Sequence, residues 1–144
     1  MRSVRGIVTA ISLAVAVEAP PAVAQDSAGT KEAKPSLAAL YTESQAIRGQ
    51  EGFTQTCIVC HGSRDFSGRK FRTNWNSQSI ESLYSFLRNS MPQDNPGRLT
   101  GQEYVDIVAY VLQLNGYPAG TKELPPDPKV LSSFQLRFDT AQVR

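Results

Sequence analysis

An all-α chain with three main helices and long intervening loops is the fold class this sequence predicts, and three observations predict it. Apolar residues recur at helical spacing in three separate stretches. No stretch alternates polar and apolar residues convincingly enough to make a strand. Segments rich in Gly, Pro, Ser and Asn separate the periodic ones. Internal repeats are absent, and 144 residues suit one domain. With 40% hydrophobic residues the chain can bury a small core. A formal charge of +2 is too small to imply a nucleic-acid partner.

The chain begins with an address. Arg2 and Arg5 precede a largely apolar run from Gly6 to Val17, and Ala22-Val23-Ala24 supplies a signal-peptidase pattern. Residues 1–24 are therefore expected to be a signal peptide, with Gln25 as the first mature residue. The apolar run stops at Glu18 and Pro20, short of the roughly 20 residues a membrane span needs. No later stretch approaches that length, so the mature chain is expected to carry no span and to reside in the periplasm. Residues 25–36 (QDSAGTKEAKPS) read as a flexible leader, ahead of a domain over residues 37–120.

Within that domain, Leu40, Ile47 and Phe53 recur among polar residues, and Thr42 or Ser44 can cap a helix running to about Thr56. Gly49 falls inside it, which implies a packing reason. Between Gly62 and Asn76 the turn-forming residues predict an irregular loop. From about Ser79 to Asn89, the residues Ile80, Leu83, Tyr84 and Leu87 lay one apolar stripe on a second helix. Met91-Pro92 ends it, and Pro92 to Arg98 is a loop. The third helix opens on Thr100-Gly101-Gln102-Glu103, a capping box. Its apolar face is Tyr104, Ile107, Val108, Val111 and Leu114, and Gly116 with Pro118 stops it. The Pro-rich tail over residues 121–144 is expected to wrap the surface rather than fold alone.

The ligand-capable residues are few and sit together. There are two cysteines, one histidine, two methionines and one tryptophan. Cys57-Ile58-Val59-Cys60-His61 is the C-x-x-C-H pattern of haem attachment. Two thiols at that spacing can reach the two vinyl groups of one haem, and the adjacent imidazole can serve as an axial ligand. A thioredoxin-like redox pair would need a βαβ pattern, which this chain lacks. A zinc site needs four ligands, and no second ligand pair exists. A disulfide across so short a loop would be strained and would stabilise little. One covalent haem c is therefore the expected cofactor. Elimination then supplies the sixth ligand. No second histidine exists, and Met91 is the sole methionine after signal removal. Methionine commonly fills cores, but here it stands at a helix end beside a rigid proline. His61/Met91 ligation would raise the reduction potential and leave no open position on iron.

With these residues in view, the chain resembles a class I c-type cytochrome over about Leu37 to Asn115. Gly49 and Phe53 precede CIVCHG at the spacing by which such N-terminal helices pack across a C-terminal helix. Tyr110, within DIVAYVLQLNG, matches the aromatic at that crossing, and Met91-Pro92 sits where the family places its axial methionine. The stretch MPQDNPGRLTGQEYVDIVAYVLQLNGYPAG is similar to periplasmic cytochromes associated with quinoprotein dehydrogenases. The resemblance implies a cytochrome c fold around one haem and no enzymatic chemistry of its own. It implies Trp75 either as a haem-propionate hydrogen-bond donor or as a hydrophobic wall. Arg64, Arg69, Lys70 and Arg72, with Asp65, form a basic loop that either faces solvent or neutralises propionates or an acidic partner. Ile80, Tyr84, Phe86 and Leu99 are either haem-pocket packing or ordinary core. Many family members have a proline after the motif whose carbonyl accepts from the ligand histidine. GSRDFSGRKF has none, so the carbonyl of Phe66, Ser67 or Gly68 is the expected acceptor.

The expected function is one-electron transfer between periplasmic redox proteins, from a dehydrogenase to a downstream cytochrome or terminal oxidase. A second reading makes the chain a tightly bound cytochrome subunit of a periplasmic dehydrogenase, docked through Phe134, Leu136 and Phe138 of the tail. A third, catalytic reading needs an open iron position.

Overall fold

The computed structural model describes residues 39–138. The signal segment and leader expected at residues 1–24 and 25–36 lie outside the described residues, as do residues 139–144. The elements in order are α1 (Glu43–Thr56), a 3-10 turn (Ser63–Phe66), α2 (Arg69–Trp75), α3 (Ile80–Ser90), α4 (Gly101–Leu114) and α5 (Pro128–Ser132). No strand occurs among the described residues, only one isolated bridge between Ser79 and Gln135. The architecture is all-α, as the periodicity predicts.

Local chemistry sets the three long helices. The Thr42 hydroxyl accepts from the Gln45 N–H at the start of α1, and the Ser79 hydroxyl accepts from Ser82 at the start of α3. Thr100 and Glu103 form the reciprocal capping box of α4. The Thr100 backbone N–H, helped by its hydroxyl, holds the Glu103 carboxyl below the usual carboxylate range. Gly116, at a φ of +82°, ends α4 in the left-handed conformation that glycine adopts without strain.

Helix α1 lies across α4, and its contact face is Ala46, Gly49 and Phe53. Ile47 is half exposed and faces away from the core, so the apolar stripe of α1 is shifted from the one its larger residues suggest. At the crossing, a Cβ on Gly49 would overlap the carbonyl oxygen of Asp106. Here Gly permits two backbones to touch. The same crossing buries a carboxylate. Asp106 accepts from Gln45 Nε2 at 3.0 Å, Arg48 Nε at 2.9 Å and Gln102 Nε2 at 2.7 Å. A buried charge with that many donors offsets its lost hydration.

Two short helices depart from the sequence expectation. The segment read as an irregular loop contains the 3-10 turn and α2, because Phe66, Phe71 and Trp75 supply apolar anchors spaced for one face. The turn formers around them hide that pattern. The tail also folds onto the domain. Leu124, Leu131 and Leu136 are each 1% exposed or less. Asp127 caps α5, with Pro128 at its first position. The Ile80 N–H donates to the Phe134 carbonyl at 2.9 Å, and Ser77 and Gln78 exchange bonds with Leu136 at 2.8 Å. Gln45 fixes the start of the tail by donating to the Leu124 carbonyl at 2.9 Å and accepting its N–H at 2.8 Å. Leu136 is consequently enclosed in the core, and Phe134 and Phe138 pack half-buried against it. These residues anchor the tail to its own domain.

Candidate functional site

The end of α1 winds directly into the cysteine motif. The N–H groups of Cys57 and Ile58 donate to the Phe53 carbonyl, and those of Cys60 and His61 donate to Cys57 at 3.1 and 2.9 Å. Helical turns thus set the spacing of the two thiols. Neither thiol is in a disulfide; Cys57 is half-buried and Cys60 is exposed. Burial pushes the Cys57 thiol up from its ordinary pKa, while the nearby Arg98 charge pulls it down.

Cys57, Cys60, His61 and Met91 all line one cavity of about 580 Å³. Phe66, Leu87 and Pro92 give it apolar wall, while Gln55, Thr56, Gln93, Asp94 and Arg98 supply its polar lining. Residues 30 positions apart in sequence are brought together because α3 carries Met91 at its C-cap. The Met91 N–H remains tied to the Leu87 carbonyl at 2.9 Å, so the last bond of α3 fixes its backbone.

Aromatic rings support His61 from behind. Phe66 stands edge-on to the imidazole with centroids 5.4 Å apart, and edge-on to Phe53 at 5.3 Å. Phe53 in turn meets Tyr110 of α4 at 5.5 Å, so the helix crossing reaches the histidine through packed rings. His61 Nδ1 lies 3.7 Å from Asp65 Oδ2, a contact longer than a hydrogen bond. That same carboxylate oxygen caps the Gly62 N–H at 2.9 Å. Of the carbonyls expected near the ring, Phe66 accepts from Asn115 Nδ2 at 2.7 Å and Gly68 from the Arg72 N–H at 3.1 Å.

Trp75 does not line the cavity; its ring packs between Phe71 at 6.0 Å and Phe86 at 5.6 Å. Arg64, Arg69 and Lys70 are exposed and away from the cavity lining, and Arg72 donates to Asn115 Oδ1 at 3.2 Å. Ile80 and Tyr84 are buried core, Leu99 packs half-buried against it, and Phe86 is about half exposed. Sequence reasoning missed Arg98, Phe66 and Leu87 as lining side chains. Leu87 was readable as the next apolar position on the α3 stripe before Met91. Nothing local marks Arg98, whose approach to Cys57 depends on how the loop after Met91 folds back.

The lining fits the group that the motif implies. A cofactor site holds about 300–1,000 Å³, and this one pairs an apolar wall with two unlinked thiols, one imidazole and one thioether. Cys57 and Cys60 would hold a haem covalently, and His61 and Met91 are the available axial donors. Among the described residues no cluster of three His, Cys, Asp or Glu side chains could hold a bare metal ion. No helix of the described residues is long and apolar enough to cross a membrane.

The sequence model of the family described as "Cytochrome C oxidase, cbb3-type, subunit III" matches residues 44–111. No curated protein and no solved structure matches the chain. The matched span opens in α1 and closes in α4, enclosing the thiol pair, the histidine, the methionine and the helix crossing. Residues 44–111 are a c-type cytochrome domain, a haem-binding electron-transfer module consistent with class I of that family.

Proposed function

We propose that the mature chain is a periplasmic one-electron carrier with a single haem c, attached through Cys57 and Cys60 and ligated by His61 and Met91. One observation carries this reading: those four side chains line the same cavity. Attachment is an addition in which each thiol sulfur bonds one vinyl carbon, its hydrogen goes to the other, and nothing leaves. When bound, the haem supplies the one-electron iron couple. The chain's own residues orient and enclose. Phe66 holds the imidazole plane edge-on, while Leu87 and Pro92 exclude water. Electron carriers of this family are not enzymes, and His/Met ligation leaves no substrate position on iron.

The partners we propose are an electron-donating periplasmic dehydrogenase, of the quinoprotein kind, and a downstream cytochrome or terminal oxidase. The signal-type segment at residues 1–24 supports export. Exposed Ile58 and Val59, at 57% and 83%, place apolar surface beside the exposed Cys60, as a small transient interface requires. A permanent dehydrogenase subunit is the alternative, with less to support it once the tail's apolar anchors are engaged internally.

Purification from the native periplasm tests both parts. The denatured wild-type chain is expected to weigh one haem more than its mature sequence and to start at Gln25. Cys57→Ser/Cys60→Ser is expected to lose all denaturation-resistant haem. Two haems, or haem retained by the double variant, would refute the assignment. Gel filtration at physiological salt is expected to give a small monomer; a stable large complex would favour the subunit reading.

A further inference from the structure

Both ends of the loop that begins at Met91 are held by one phenol. Tyr104 lies in the first turn of α4, is 2% exposed, and packs edge-on against Tyr84 of α3 at 6.5 Å. Its hydroxyl donates to the Met91 carbonyl at 2.6 Å and accepts from the Gly97 N–H at 3.1 Å. Donor and acceptor capacity are thus both spent on the same loop. The loop's other backbone bonds are internal, from Asn95 to Pro92 at 3.0 Å and from Arg98 to Asn95 at 3.4 Å. Apart from the last bond of α3, the Tyr104 hydroxyl is what fastens these residues by hydrogen bonding to the rest of the described fold.

We infer that Tyr104 is a positioning residue for the sixth ligand: its hydroxyl fixes the Met91 loop and thereby sets how readily an outside ligand displaces the thioether. The inference rests on the proposed Met91 ligation. Tyr104→Phe keeps the ring in its packing and removes only the hydroxyl, leaving a carbonyl and an N–H without their buried partner. A net hydrogen bond is worth enough to shift a local opening equilibrium by about tenfold. Opening the loop withdraws Met91 from iron while the rest of the domain stays folded.

The test is imidazole binding to the ferric holoprotein. Tyr104→Phe is expected to bind imidazole about tenfold more tightly than wild type. Leu124→Ala, a core truncation that touches neither loop nor cavity, is expected to lower Tm and leave imidazole affinity unchanged. Gly97→Ala, strained at a φ of +80°, loosens the same loop from its far end and is expected to raise the affinity too. It decides the matter if Tyr104→Phe fails to accumulate. Wild-type affinity in the loop variants, or an equal gain in Leu124→Ala, overturns the inference. Met91→Ala separates it from the reading beneath: if that variant keeps the iron–sulfur band, Met91 is not the ligand and the ligation itself is wrong.

Discussion

Gly49→Ala is expected to cost the chain its fold, whereas Gly52→Ala, on the same helix, is expected to leave it intact. The two glycines differ in what a methyl group would meet. At Gly49 it would overlap the carbonyl oxygen of Asp106 on α4, and that obstacle is backbone. No rotamer change relieves it, so α1 and α4 must separate. Overpacking a core costs about 1–3 kcal/mol when side chains can yield; a backbone clash at the principal helix crossing belongs above that range. A small domain has roughly 5–15 kcal/mol of stability to lose. Separation would also pull Asp106 from Gln45 and Arg48, stranding a carboxylate. At Gly52 the nearest atom is a side-chain carbon of Ile107 at 3.5 Å, an ordinary contact. There alanine gains about 1 kcal/mol of helix propensity. Circular dichroism melts and the yield of haem-loaded protein check the pair. A Gly49→Ala protein melting near wild type would show that the crossing is looser than drawn.

Met91→Ala is expected to lower the reduction potential sharply while leaving the protein folded. The side chain is half-buried at the cavity wall, so little core is lost. Its backbone bonds to Leu87 and Tyr104 involve main-chain atoms that alanine keeps. What disappears is the thioether, the proposed axial ligand and one that favours ferrous iron. The fall should be a substantial fraction of the roughly 0.8 V over which axial ligands set haem potentials. Leu87→Ala supplies the contrast: it lines the same cavity and should lower stability without abolishing the iron–sulfur band. A redox titration and a ferric spectrum read both variants. An unchanged potential in Met91→Ala would remove Met91 from the coordination sphere.

The parts of this site readable in the sequence are those whose geometry is local. Cys57, Cys60 and His61 are held by bonds spanning three or four residues, so their spacing is already their arrangement. The capping box at Thr100 announces α4 for the same reason, and Thr42 is one of the two caps the sequence offers for α1. Met91, which lines the cavity with them, is singled out in the sequence only by scarcity, a route open because signal removal would leave it the one methionine. Helices α2 and α5 escaped notice because a helix of seven or five residues has too few turns for a periodic signal. Tyr104 looked like one more apolar-face residue; its hydroxyl acquires meaning only when the loop from Met91 to Gly97 folds over it. Ile47 misled for the opposite reason, a large apolar side chain that lies off the face, Ala46, Gly49 and Phe53, by which α1 meets α4.

The clasp between Gln45 and Leu124 bears on how freely the tail could vary through evolution. Gln45 reads the main chain of Leu124, through one N–H and one carbonyl, as a neighbouring strand would. Main-chain recognition is indifferent to side-chain identity, so by itself it would let the tail slide. The two residues that follow are Pro125 and Pro126. A slip that brought either opposite Gln45 would offer no N–H, and the buried amide oxygen would lose its donor. The prolines that made this segment read as a surface-wrapping tail therefore act as a stop, confining the tail to a single alignment.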